Sequence, residues 1–171
     1  MQSVNGLERF FATWEYETQS TLKLLRALPA DKYDFRPDAQ GRSLGELAWH
    51  LAEGDAYIAQ GIDTGVFFGG EKPAHLDRPK TVAGLAPAFE VVHREAVARL
   101  KTLTVADLDR QVNFFGNPLP IRDVAWSYII HHGVHHRGQL SLLCRLAGGQ
   151  PPGLYGPNRE EMAAMMAGNK F

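Results

Sequence analysis

The chain has 171 residues, of which 44% are hydrophobic and 22% charged, and its formal net charge at pH 7 is −1. This size and composition are typical of one globular domain with its own hydrophobic core, so residues 1–171 are interpreted as a single domain. The balanced charge argues against a large phosphate-contacting surface, and hence against a nucleic-acid partner.

The first two predicted elements are long amphipathic helices. Residues 3–28 carry apolar side chains at a spacing of about 3.6 residues, and Pro29 marks the end of this helix. A connector over residues 30–40 follows. The second helix is predicted from Ser43 to about residue 60, because Ser43-Leu44-Gly45-Glu46 has the form of a capping box.

A loop and a third helix occupy the middle of the chain. Residues 61–80 are rich in glycine and proline and are predicted to form a long loop. The third helix covers about residues 82–103, although Pro87 favours a start nearer residue 86, since proline is tolerated in a first turn. Beyond it, Thr104–Asp107 resembles a local cap, and residues 112–119 are predicted to be extended or irregular.

The fourth long helix is predicted over residues 121–147, with Gly148-Gly149 as its stop signal, and residues 158–167 form a short final helix. Four long amphipathic segments with almost no alternating pattern indicate an all-α, four-helix bundle. Because the 61–80 loop is too long for a simple hairpin, at least one crossover connection is expected.

Neither a membrane nor an oxidising compartment is indicated. No apolar run approaches the roughly 18–20 residues that span a bilayer, and the first six residues lack the basic and apolar regions of a signal peptide. Cys144 is the single cysteine, so it cannot form an internal disulfide, and we expect a small packed side chain there. The prediction is a cytoplasmic protein without a membrane partner.

Four histidines crowd into the fourth helix, and two of them predict a metal site. His132 and His136 are four residues apart, which places two imidazoles on one helix face, about 5–6 Å apart. With about 100° per residue, both project near the centre of the core-facing surface of this helix. The pair His131 and His135 has the same spacing but projects from the flank, so His132 and His136 are preferred.

His50, on the second helix, is the predicted third ligand. Three histidines from two helices leave coordination positions open for water or substrate, as catalytic metal sites do. The alternative is that the histidines are satisfied by ordinary polar neighbours. His75, among proline, aspartate and lysine, is predicted to be a solvated loop residue, and His93, beside Arg94 and Glu95, a surface residue.

The neighbours of these histidines predict no general base. Glu53 is interpreted as a surface carboxylate, with contact to a metal ligand as the alternative, and Gln139 as a residue that orients a ligand or packs on a neighbouring helix. Arg137 projects about 140° from His132 and is interpreted as a packing or interface residue away from the core face. Aromatic side chains are candidate pocket-lining residues, with plain core packing as the alternative; they are Trp49, Tyr57, Trp126 and Tyr128.

Several strings in the chain resemble the DinB/YfiT-like family of bacterial metal-dependent enzymes, and the resemblance extends over nearly the whole chain. The strings that carry it are Leu47-Ala48-Trp49-His50-Leu51-Ala52-Glu53, His132-Gly133-Val134-His135-His136-Arg137-Gly138-Gln139-Leu140, Leu28-Pro29-Ala30-Asp31 with Phe35-Arg36-Pro37, and Gly149-Gln150-Pro151-Pro152 with Tyr155-Gly156. The resemblance implies a four-helix bundle, often a homodimer, with a divalent metal, zinc or nickel, held by His50, His132 and His136. It also implies that His131 and His135 are not ligands, although either is near enough in sequence to substitute.

Two functional interpretations follow. The first is a metal-dependent enzyme of the thiol S-transferase or hydrolase kind, in which the resemblance implies a low-molecular-weight thiol as a further cofactor. The second is a non-catalytic stress-response protein that binds a metal or a small ligand. A closed metal shell would favour the second interpretation, whereas exchangeable positions on the metal would favour the first.

Overall fold

The computed structural model describes residues 5–67 and 69–168 and is organised around four long helical segments. They are α1 (Gly6–Arg26), α2 (Leu44–Thr64), α3 (Val82–Leu100), and a fourth bundle helix made of α4 (Ile121–Val124), a π-helical segment (Ala125–His131) and α5 (His132–Leu146). A short 3-10 helix (Ala106–Asp109), the antiparallel strands β1 (Gln111–Phe114) and β2 (Asn117–Pro120), and α6 (Arg159–Gly168) complete the described part. The all-α prediction is confirmed.

Capping boxes begin the first two helices. The Asn5 side chain accepts from the Glu8 amide and the Glu8 carboxylate accepts from the Asn5 amide, so two of the unpaired first-turn donors are satisfied. Ser43 and Glu46 do the same for α2, at 3.3 Å and 2.8 Å, as the sequence predicted. The predicted start of the first helix at residue 3 lies outside the described residues.

The predicted end of the second helix was wrong, whereas the predicted start of the third is confirmed. Helix α2 continues to Thr64, four residues beyond the predicted end, and stops at Gly65, whose φ of 76° suits glycine. Helix α3 begins at Val82 and not at the alternative start nearer residue 86, so Pro87 lies in its second turn. Burial of Val82 and Leu85 explains this start, because apolar packing of the first turn outweighs the backbone hydrogen bond that proline lacks.

The bundle contains crossover connections, but not where the sequence placed them. Helix α1 packs against α3 and the fourth bundle helix, and α2 packs against the same two helices, so α1 and α2 lie on a diagonal. The connection over residues 27–43 therefore crosses the bundle. Residues 65–81, the predicted crossover, join the neighbouring helices α2 and α3.

The core has two parts, one at each end of the bundle. One joins the C-terminal half of α1 to α5 and the first halves of α2 and α3, and it includes Leu25, Trp49, Leu85 and Leu140. The other joins Phe10 and Trp14 to the second halves of α2 and α3, the β-hairpin and the π-helical segment. Val112 and Phe114 anchor the hairpin in this second part, which fixes its tip beside α2. Among the described residues, no helix is long and apolar enough to cross a membrane.

Candidate metal centre

Three histidines from two helices meet at one point. His50 projects from the middle of α2, His132 is the first residue of α5, and His136 follows one turn later. One nitrogen from each ring lies within 4.8 Å of the others, and all three residues are partly buried. The predicted trio is therefore brought together by the packing of α2 on α5.

The spacing of the nitrogens fits a transition-metal ion. The Nε2 atoms of His132 and His136 are 3.0 Å apart, and the ring centroid of His50 lies 5.3 Å from that of His132 and 4.6 Å from that of His136. Zinc–nitrogen bonds of about 2.0–2.1 Å in a tetrahedral arrangement place two ligand nitrogens roughly 3.3 Å apart. A small adjustment of the rings is sufficient to accommodate such an ion.

Side-chain oxygens orient two of the rings. His50 Nδ1 lies 3.1 Å from a carboxylate oxygen of Glu53, and His136 Nδ1 lies 2.7 Å from the amide oxygen of Gln139. Both oxygens accept, so the Nδ1 atoms carry the protons and the Nε2 lone pairs are left for the centre. Glu53 is thus in contact with a candidate ligand, which was the alternative interpretation from the sequence. Gln139 is in contact with a second candidate ligand, in agreement with one of its two predicted roles.

Burial keeps the paired imidazoles neutral. Desolvation, followed by the nearby His136 and His50, lowers the pKa of His132 to about 4. Desolvation also lowers the pKa of His136, although its hydrogen bond with Gln139 acts in the opposite direction. The hydrogen bond with His50 lowers the pKa of Glu53, so that carboxylate stays ionised. Neutral imidazoles have the lone pairs that a cation requires.

Gly54 makes room for one of the rings. A Cβ atom at this position would lie 3.4 Å from His132 Nδ1, at the limit of close contact. A larger side chain would push the ring away from its partners. At Gly133, between the two paired histidines, a Cβ atom would meet no atom within 4 Å outside its chain neighbours, so this glycine is not needed to make room for a ring.

The two remaining histidines of the fourth bundle helix lie outside the cluster. His131 is exposed and its ring faces Trp126 at 6.4 Å, while His135 is exposed and packs edge-on against His136 at 4.9 Å. Within the described part of the chain, the group of histidines that can share one ion contains neither of them.

An open cavity of about 460 Å³ adjoins the histidines. Its lining combines His50 and His132 with Glu53, Gly54 and Ile58, one arginine, and aromatic side chains from α2, the hairpin and the π-helical segment; these further residues are Arg42, Tyr57, Phe114, Phe115 and Tyr128. Tyr57 and Tyr128 were predicted to line a pocket. Trp49 is buried in the core instead, and Trp126 packs against the second part of the core.

The contributions of the hairpin and of Arg42 were not predicted from the sequence. A partial signal for the hairpin exists, since Phe115-Gly116 stands between two short extended stretches and glycine suits the second position of a two-residue turn. No local signal brings Arg42, which precedes the cap of α2, to the cavity.

His93 is buried, so its prediction as a surface residue was wrong. It is 7% exposed, and its Nδ1 lies 3.1 Å from Asp55, which also accepts a hydrogen bond from Trp14 Nε1 at 3.1 Å. Thr18 adds a contact at 3.2 Å. These polar groups satisfy one another between α1, α2 and α3, and they are separate from the three-histidine cluster.

Arg137 is also buried, so its predicted position away from the core face was wrong. Its predicted role as a packing residue is confirmed. It is 1% exposed, forms an ion pair with Glu17, and donates to the Glu17 backbone oxygen at 2.8 Å and to Thr21 Oγ1 at 2.9 Å. Tyr155 completes this group by hydrogen bonding to Arg137 and Glu17. The residue after His136 thereby ties α5 to α1.

Two further predictions are confirmed. Cys144 is a buried thiol packed in the first part of the core, and burial raises its pKa, so it is not a ready nucleophile. His75 is exposed in the loop between α2 and α3.

Comparison with known proteins gives concordant results. A model of the DinB family matches residues 1–170. YrdA of Bacillus subtilis (strain 168), an uncharacterised protein, is 32% identical over 159 residues, covering 92% of this chain and 92% of YrdA. The crystal structure of a DinB-like protein from Bacillus cereus ATCC 10987 is similar with a TM-score of 0.73 and 33% identity, over 86% of this chain and 97% of that one. The DinB-like protein YjoA of Bacillus subtilis has a TM-score of 0.68 at 22% identity, over 88% of this chain and 99% of that one, which is a likeness of fold alone.

Proposed function

The chain belongs to the DinB family, and from this premise and the three-histidine cluster we propose that it binds one divalent metal ion through His50, His132 and His136 and acts as a metal-dependent enzyme. The observation that carries the proposal is the convergence of three imidazoles beside an open cavity. Structural zinc sites use four protein ligands, whereas catalytic ones keep a position for solvent or substrate.

The donor set suits zinc or nickel, since both accept imidazole nitrogen. A cation bound there would lower the pKa of a thiol or water ligand and so supply a nucleophile near neutral pH. Glu53 and Gln139 keep the Nδ1 protons of His50 and His136 in place, and the aromatic lining limits the access of water.

We propose thiol transfer ahead of hydrolysis as the reaction at this cavity. Hydrolysis of an ester or amide is helped by a side chain that gives a proton to the leaving group. Glu53 is the carboxylate among the residues that line the cavity, and it already accepts a hydrogen bond from His50. Attack of a thiolate on carbon with an anionic leaving group needs no such donor, so a low-molecular-weight thiol is the proposed co-substrate.

Elemental analysis of untagged protein tests the metal site. Wild type and the variants His50→Ala and His136→Ala are purified without added metal and analysed before and after loading with zinc or nickel. We expect near-stoichiometric metal in wild type and a loss in both variants. His131→Ala is the matched control, because His131 is on the same helix but outside the cluster, and it should keep its metal.

An absence of metal in loaded wild type would overturn the proposal, and loss of metal in the His131→Ala control would overturn the ligand assignment. The reaction is tested next with the loaded protein. Conjugation of a small thiol to 1-chloro-2,4-dinitrobenzene, with release of chloride, reports thiol transfer, and p-nitrophenyl acetate reports hydrolysis. We expect the first activity, and its loss in His136→Ala. Turnover of the ester alone would favour a hydrolase, and turnover of neither would favour the non-catalytic interpretation.

The expected homodimer remains a prediction. Large apolar side chains are exposed on the outer face of α5 and on α6, among them Leu142, Leu146, Met165 and Met166. Exposed apolar groups that cluster in this way are typical of association surfaces. Sedimentation velocity at two protein concentrations measures the oligomeric state directly.

A further inference from the structure

The cavity beside the histidines has an aromatic wall. Phe114 lies 4.1 Å from Tyr128 and 4.8 Å from Phe115, measured between ring centroids, and Phe67 supports it from behind at 5.0 Å. Tyr57 lines the same space from α2. A volume of about 460 Å³ is in the range of pockets that hold small organic molecules. The lining is therefore suited to a flat, apolar molecular body.

Phe115 occupies an unfavourable backbone position in this wall. It has a φ of 51° and Gly116 has a φ of 85°, so the hairpin turn is of type I′, in which asparagine is usual before glycine. Phe115 is nevertheless 68% exposed. Asparagine would suit this backbone position better, yet the position holds an aromatic ring that packs on Phe114 at the edge of the cavity, where a ligand would enter.

Arg42 provides the positive charge of the cavity. It is exposed, it lines the cavity, and it forms no ion pair with another described residue. Its neighbours Arg36 and Arg78 both pair with Glu46, so they are already engaged. Glu53, the carboxylate in the lining, hydrogen-bonds with His50, and its pKa is lowered first by that bond and further by the charge of Arg42, without an ion pair between the two side chains. Arg42 is thus the side chain that would pair with an anionic group of a ligand.

We propose that this cavity binds an aromatic monocarboxylate, with Arg42 pairing with the carboxylate and Phe115 packing against the ring. A single guanidinium matches one carboxylate, and the aromatic wall matches a planar ring. The proposal rests on the proposed function in one respect, namely that the bound carboxylate would be the substrate of the metal centre. The recognition itself depends on Arg42 and Phe115.

Binding to metal-free protein tests the assignment without interference from a carboxylate–metal bond. The probes are 2-naphthoate and the neutral alcohol 2-naphthalenemethanol, titrated by isothermal calorimetry into protein treated with chelator. We expect wild type to bind the acid about tenfold more tightly than the alcohol, as a charge-assisted contact provides. Arg42→Gln should reduce this preference to less than about twofold, with alcohol binding unchanged.

Phe115→Asn removes the ring but suits the turn, so its Tm should be equal to or above that of wild type. We expect it to weaken both probes by about fivefold, and Phe115→Tyr to restore binding. Arg26→Gln is the charge-matched control, since Arg26 lies on α1 in an exposed pair with Glu90, and it should bind as wild type does.

Each of four results would overturn the assignment. In two of them wild type binds neither probe, or binds the acid and the alcohol equally; in the other two Arg42→Gln keeps the preference for the acid, or Phe115→Asn binds both probes as wild type does. The metal analysis is independent of this titration. Preference for the acid in a protein that retains no metal would contradict the proposed function and leave the ligand assignment standing. Retained metal in a protein without the preference for the acid would overturn the ligand assignment and leave the proposed metal site standing.

Discussion

Replacement of Arg137 by methionine should strongly destabilise the bundle. The side chain is 2% exposed and joins α5 to α1 through an ion pair with Glu17 and hydrogen bonds to the Glu17 backbone oxygen and Thr21. Methionine fills a similar volume and keeps the helix propensity, so the change isolates the loss of the donors. The carboxylate of Glu17 would keep only its hydrogen bond from Tyr155, and the hydroxyl of Thr21 only the one that it donates to the Glu17 backbone oxygen.

The expected magnitude follows from the burial of the two partners. Removal of one member of a buried ion pair typically lowers the free energy of unfolding by about 3–5 kcal/mol. The Glu17 side chain is 15% exposed, so it regains some water, and we expect a loss near the lower end, about 3 kcal/mol. With a urea m-value of about 1–3 kcal/mol/M, the midpoint of unfolding should fall by roughly 1 M or more.

Urea unfolding of metal-free protein, followed by circular dichroism, measures this loss without a contribution from bound metal. Arg145→Met is the matched control, because Arg145 is on the same helix and pairs with Glu160 where both side chains are about one-third exposed. An exposed pair contributes about 0–1 kcal/mol. A loss for Arg137→Met no larger than that of the control would refute the view that Arg137 fastens α5 to α1.

Two further predictions concern the metal site and the pH dependence of stability. Gly54→Val should lower metal affinity at least about tenfold, because its methyl groups would displace the His132 ring. Gly54→Ala, whose Cβ would lie 3.4 Å from that ring, should bind metal nearly as wild type does. Competition with a chromophoric chelator measures both affinities, and equal affinities of the two variants would contradict this prediction. Burial, then the hydrogen bond with Glu17, raises the pKa of Tyr155 from 10 to about 12, so the stability it contributes is complete below pH 10 and is lost as the pH rises towards 12. Tyr155→Phe should flatten the fall in urea midpoint between pH 10 and 12, and an unchanged slope would count against the raised pKa.

The features predicted correctly from sequence are those encoded within one or two helical turns. Ser43 and Glu46 are three residues apart, and a capping box needs no partner from elsewhere in the chain. His132 and His136 are four apart, and the helix alone brings their rings to 4.3 Å. His50 reaches the same point because α2 packs on α5. The amphipathic pattern of both helices predicted that they would pack together, but not how close the His50 ring would come to the other two.

The errors concern polar residues whose burial is decided by other helices. His93 has charged neighbours on its own helix, which indicated a surface position. Its partners are Asp55 on α2 and Thr18 on α1, and no periodicity within α3 reveals them. A buried imidazole is stable only where such acceptors are present, so its environment is a property of the assembled bundle.

The placement of Arg137 shows why helical arithmetic centred on the ligands was misleading. With about 100° per residue, Arg137, Leu140 and Cys144 lie roughly 140°, 80° and 120° from His132, and all three are buried. The buried face of α5 is therefore centred well to one side of the histidines. The π-helical segment immediately before His132 explains the error, because its wider turns change the angular relation between the apolar residues upstream and the residues of α5. A ligand pair at the centre of the core would be sealed, whereas this rotation places His132 and His136 on the flank of the bundle, where the cavity gives a small molecule access to them.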